Sequence, residues 1–162
     1  MEGAEADAID AAEWTGASFD DFYRSSWKQT VHLAALLTQN GSAAEEIAQD
    51  AFVAVHDRWA QLDEAEGYLY RCVSNAAKMY HRRAGTQRRR LPLLDPPRFA
   101  SVDVDELADV VAALPFRQRA VIVLRYHARL TEREIADALG CRPGTVKSLA
   151  SRALRRMQRE LS

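Results

Sequence analysis

Between Thr131 and Arg155 the chain sets out Thr131, Arg142, Thr145, Lys147, Ser148, Ser151, Arg152 and Arg155. These are cations and hydroxyls, with no acid among them. Their chemistry is recognition rather than bond-making. A guanidinium pairs with two acceptors of guanine, hydroxyls serve any base edge, and a lysine neutralises phosphate. Arg142 and Arg152 suit guanine, each worth about 1–3 kcal/mol of discrimination. Lys147, Arg155 and Thr131 suit phosphates, which set register and not sequence.

A second set is Arg71, Asn75, Lys78, Tyr80, His81, Arg82 and Arg83. Cations interleaved with aromatic and amide groups suit unstacked single-stranded bases. His81 has no carboxylate at helical spacing, so it belongs to a surface and not to acid–base catalysis. Tyr68 and Tyr70 read as core or interface residues. A third set, Glu45, Glu46, Gln49 and Asp50 followed by Phe52, is acidic. Paired carboxylates can serve catalysis or metals, but no histidine or glycine-rich loop accompanies them. We expect no catalytic residue, no metal and no cofactor; the carboxylates read as either a solvated acidic face or a docking surface. Cys72 and Cys141 lie far apart without metal-type spacing and read as reduced thiols.

The elements that position these residues follow from caps and periodicity. Thr131 and Glu134 form a capping box, Ile135, Ala136 and Leu139 an inner face, and Gly140 a left-handed stop. Pro143 opens the next helix, with Val146, Leu149 or Ala150, and Ala153 inward. Helix, glycine turn and basic helix make a helix-turn-helix. Upstream, Ser18 caps a helix to about Gln39, and Asn40-Gly41 is a turn. Ser42, with Glu45 as its capping-box partner, starts a second helix ending near Trp59. Asp63 caps a third, from Glu64 to about Arg83, with Met79 or Tyr80 inward. Gly85, Arg88–Arg90, Pro92, Pro96 and Pro97 mark a linker. Short helices follow over about Val104–Ala113 and from Pro115 to about His127.

The 162 residues carry a net charge of only −1, but the charge is segregated. Residues 1–66 hold 3 Lys/Arg against 14 Asp/Glu, residues 67–100 hold 8 against 1, residues 101–116 hold 0 against 4, and residues 117–162 hold 11 against 4. Two basic blocks point to two contacts with a polyanion, and the acidic block to a different partner. No apolar run approaches a membrane span, and 1–17 lacks the basic start and apolar core of a signal peptide. The expected fold is all-α: two small helical domains joined by a flexible linker. The division is 1–17 acidic tail, 18–84 first domain, 85–103 linker and 104–162 helix-turn-helix domain.

The motif order resembles the group IV (extracytoplasmic function) sigma factors of bacterial RNA polymerase, over about Phe19–Leu161. Ala44-Glu45-Glu46-Ile47-Ala48-Gln49-Asp50-Ala51-Phe52 resembles the family's region 2.2, which binds the clamp helices of the largest polymerase subunit. Gly67–Ala77 resembles region 2.3–2.4, which meets the −10 element. Leu114–Val121 resembles the entry to region 4. Ile135-Ala136 through Gly144-Thr145-Val146-Lys147-Ser148 resembles the region 4.2 reader of the −35 element. The flavour is closest to actinobacterial SigE-like members. The resemblance implies a non-enzymatic promoter-specificity subunit in the cytoplasm, nucleoid-associated when in holoenzyme. Its partners would be core RNA polymerase (clamp helices and flap region) and promoter DNA, duplex at −35 and single-stranded at −10, with room for an anti-sigma factor. The linker arginines would lie near the active-site cleft. Two departures stand out. Arg142 replaces the usual serine N-cap, and Leu149-Ala150-Ser151-Arg152-Ala153 replaces Arg-Leu-His-Arg-Ala, removing a basic contact at Leu149. The rival reading is a stand-alone helix-turn-helix regulator.

Overall fold

The computed structural model describes residues 18–88 and 106–162. Among these the structure is α-helical, with one 3-10 turn and no strand: α1 Phe19–Thr38, α2 Gly41–Asp57, the 3-10 turn Trp59–Gln61, α3 Ala65–Arg88, α4 Glu106–Ala112, α5 Phe116–Tyr126, α6 Glu132–Leu139 and α7 Pro143–Glu160. The expected tail, 89–103 of the expected linker, and the start expected for α4 at Val104 lie outside the described residues.

Local chemistry sets the boundaries. Ser18 Oγ accepts the Asp21 amide at 3.2 Å and starts α1. Gln39, at φ 57°, ends it. The next start differs from the expectation: Asn40, not Ser42, is the N-cap, its Oδ1 accepting the Ala43 amide at 3.1 Å. Asparagine is among the best N-caps, and the left-handed Gln39 delivers it in extended geometry, so α2 begins at once. The backbone of α3 continues through Arg88, into the stretch expected to be linker.

The two modules do not stand apart. One buried cluster runs through Leu33 and Leu37 of α1, Ile47, Phe52 and Val55 of α2, Leu69 and Val73 of α3, Val121 and Leu124 of α5, Ile135 of α6 and Val146 of α7. Helix α6 packs on α3, and α5 packs on α1. A smaller cluster, Leu114, Ile122 and Ala153, ties α5 to α7. Burial of this apolar surface is what holds the helices together.

A polar contact crosses the same seam. Arg119 of α5 is 4% exposed. Its Nη1 donates to the carbonyls of Ala112 (3.1 Å) and Leu114 (3.0 Å), and its Nη2 to that of Leu37 (2.9 Å). Leu37 lies in the last turn of α1, where carbonyls lack intrahelical partners and the helix dipole is negative. A guanidinium there satisfies both needs.

Candidate nucleic-acid and polymerase-binding surfaces

Helix α7 divides cleanly. Val146, Leu149, Ala150 and Ala153 are buried and fall within about 100° of arc at 3.6 residues per turn. Lys147, Ser148, Ser151, Arg152 and Arg155 are exposed, and Thr145 is half-buried. Arg142 and Thr131 are exposed at the two N-caps. Every residue expected to meet duplex DNA is therefore reachable. The Ser148 hydroxyl donates to the Gly144 carbonyl at 3.1 Å, leaving its oxygen to accept. Leu149, where the resemblance expected a basic contact, is buried in the core cluster.

The turn that aims α7 is set by α6. Thr131 Oγ1 accepts the Glu134 amide at 3.2 Å while Glu134 Oε2 accepts the Thr131 amide at 2.7 Å. Gly140 closes α6 at φ 63°, where a β-carbon would be strained. Arg142 then caps α7 with no side-chain hydrogen bond, and Pro143 occupies its first turn. The Arg142 guanidinium is thus not spent on the cap.

On α3, Arg71, Asn75, Lys78 and Arg82 are exposed and share about 60° of arc. Arg83 is exposed beside them, and so is Met79, at 47%. Tyr80 and His81 turn away from this stripe. The Tyr80 hydroxyl accepts from Asn40 Nδ2 at 3.0 Å. His81 Nε2 lies 2.7 Å from the Leu37 carbonyl and 2.9 Å from Arg119 Nη2, with its ring 4.7 Å from that of Phe116. Both are half-buried because the 3.6-residue period carries them onto the core side. The structure exchanges Tyr80 for Met79 on the outer face. Tyr70 is buried, and its hydroxyl donates to Glu66 at 2.8 Å; burial, then Glu66, pushes its pKa up. Tyr68 is half-buried under the Arg58 guanidinium.

The acidic set is also sorted by the helix. Glu46, Gln49 and Asp50 are exposed on one face of α2, with Glu45 at its edge. Phe52 is not on that surface. It is 2% exposed, ringed by Phe22, Tyr23 and Trp27 at centroid distances of 6.0, 4.9 and 5.9 Å. The exposed apolar residue on the acidic face is Val53, at 58%. It lines an open depression of about 330 Å³ with Phe19, Tyr23, Gln49, Phe52 and His56. Periodicity carries the signal: Val53 follows Glu46 by two turns.

Among the described residues no group of three or more His, Cys, Asp or Glu is placed to hold a metal, and no helix is long and apolar enough to cross a membrane. A basic helix-turn-helix face, a basic stripe and an acidic face on one helical chain fit a DNA-binding transcription factor with a protein partner. Residues 22–87 match the family model for sigma-70 region 2, and residues 105–157 that for sigma-70 region 4. The chain is 31% identical over 128 residues to an RNA polymerase sigma-E factor of Streptomyces antibioticus, covering 73% of this chain and 70% of that one. It is 29% identical over 153 residues to the sigma-E factor of Streptomyces coelicolor, covering 88% and 85%. Its fold resembles that of the sigma factor RpoE of Bartonella quintana, solved with the anti-sigma factor NepR. There the TM-score is 0.69 at 21% identity, over 88% of this chain and 97% of that one.

The chain belongs to the extracytoplasmic function sigma factors of the sigma-70 family, in the actinobacterial sigma-E-like group. It directs promoter-specific transcription initiation, with core RNA polymerase and promoter DNA as its partners. Matches to both regions, in order, set aside the stand-alone regulator.

Proposed function

We propose that the three surfaces divide the work of initiation. Helix α7 reads the −35 element in the major groove through Arg142, Thr145, Ser148, Ser151 and Arg152, with Thr131, Lys147 and Arg155 on phosphates. The α3 stripe of Arg71, Asn75, Lys78, Arg82 and Arg83 holds the −10 strand once it is single-stranded and so helps melting. The acidic face of α2, Glu45, Glu46, Gln49 and Asp50 around Val53, docks on the basic clamp helices of the polymerase. Residues 18–84 and 104–162 act as the two working units. The protein does no bond chemistry of its own and works in the cytoplasm, on the nucleoid when in holoenzyme. An anti-sigma factor is a further partner class, as the Bartonella quintana relative was crystallised with one.

The observation that carries this reading is the sorting of α7: Lys147, Ser148, Ser151, Arg152 and Arg155 lie opposite its buried face. In vitro transcription with purified core polymerase and a promoter library tests it. Initiation at a shared −10/−35 pattern above core alone is expected; none would refute it.

A further inference from the structure

Two histidines from different modules meet at the seam. His32 stands on α1 and His127 is the C-cap of α5. Their ring centroids are 4.7 Å apart and their planes cross at 68°. The backbone of Gln29, one turn before His32, accepts a hydrogen bond from the His127 ring. Nε2 of His127 is buried and has no hydrogen-bond partner among the described residues. Nδ1 is therefore the donor, and Nε2 carries the free lone pair. His32 is exposed and His127 half-buried, so the pair sits at the rim of the seam, within reach of an ion from solution.

A neutral imidazole held by a carbonyl on one nitrogen and bare on the other is in the state that binds a metal. Left alone, a buried acceptor without a partner is destabilising. The spacing also fits. Zinc–nitrogen bonds of about 2.0–2.1 Å, at angles of about 90–110°, put the centroids of two ligating imidazoles about 4.5–5.2 Å apart. The observed 4.7 Å falls inside that range. Ring packing alone also allows this distance, but it gives the bare Nε2 nothing to bind.

We infer that His32 and His127 form a site for a zinc-class transition-metal ion, which bridges α1 to the end of α5. Imidazole ligands select zinc, copper or nickel over magnesium and calcium. The described residues bring no third His, Cys, Asp or Glu to the pair, so water completes the coordination shell. Because the ligands belong to different modules, the bound ion holds them together. The stability of the seam then follows the supply of metal.

The test uses the full chain as the Cys72→Ser, Cys141→Ser variant, which removes the thiols as competing ligands, with zinc chloride as the probe. The sequence holds four histidines, so their ring signals can be followed one by one in proton–nitrogen spectra. One equivalent of zinc should shift His32 and His127 and leave His56 and His81 in place. Calorimetry should find one site per chain. Zinc should raise the Tm, EDTA should reverse the rise, and magnesium should produce none. His127→Gln and His32→Gln should each weaken zinc binding about tenfold or more and abolish the rise. His32 is exposed, so its variant decides the matter if His127→Gln fails to fold. Zinc binding unchanged in folded His32→Gln, or shifts confined to the other two histidines, overturns the site. Shifts at both rings without a rise in Tm overturn the bridge. None of these readouts depends on promoter recognition.

Discussion

The rings of His32 on α1 and His127 at the end of α5 meet edge to face, their centroids 4.7 Å apart. Burial, then the neighbouring His32, lowers the pKa of His127 below 6.5, and a hydrogen bond with the Gln29 backbone opposes them. Its Nε2 is buried with no hydrogen-bond partner. A group with a depressed histidine pKa binds its proton more readily in the unfolded chain. Its neutral form stabilises the fold above about pH 6.5, and that contribution is lost as pH falls from there towards the folded pKa. Thermal melts should show a lower Tm at about pH 5.5 than at about pH 7.5, and His127→Gln should flatten the dependence. An equal slope in the variant would assign the acid sensitivity elsewhere.

Arg142 sets stability against recognition. As an N-cap it makes no side-chain bond. Arg142→Ser should raise unfolding free energy by about 0.5–1 kcal/mol in denaturant titrations, because a serine oxygen satisfies an orphan amide of α7. The same change should weaken −35 duplex binding. A variant that gains stability and keeps full duplex affinity would remove Arg142 from the reading set.

Arg152 and Lys147 should differ in kind. Arg152→Ala should cost about 1–3 kcal/mol at one base pair and relax preference there. Lys147→Ala should weaken binding to all −35 sequences alike and reduce the slope of log affinity against log salt by about 0.9. Fluorescence anisotropy over a set of duplexes and salt concentrations separates the two.

Glu46→Ala should weaken binding to core polymerase and leave −35 preference intact; Val53→Asp should do the same by placing a charge at the apolar centre of the acidic face. Competition for core against a labelled parent chain measures the first, and duplex binding the second. Altered base preference with unchanged core affinity would reverse the assignment of the two surfaces.

Much of this was legible in the chain because the signals were local. Thr131 with Glu134, Gly140 and Pro143 state a helix end within a few residues, and the structure forms each as read. The outer face of α7 followed from the same periodicity. Asn40 and Ser42 were harder, since both cap well and only the left-handed turn at Gln39 decides between them. Met79 and Tyr80 differ by one position, so a small error in phase swaps them. Arg119 was not legible. It stands in a basic block, and its partners are backbone carbonyls, one of them 82 residues away. Backbone acceptors leave no mark in a sequence. Phe52 sits next to an acidic run yet belongs to an aromatic cluster whose members come from two helices.

Helix α7 keeps its anchors and its proposed readers on different faces. Surface substitutions away from caps and buried groups usually change stability by less than about 0.5 kcal/mol. The outward residues of α7 can therefore be exchanged over generations with little selective penalty on folding, while Val146, Leu149, Ala150 and Ala153 hold the helix in register. Gene duplicates built on this chassis can diverge in the promoters they serve one side chain at a time.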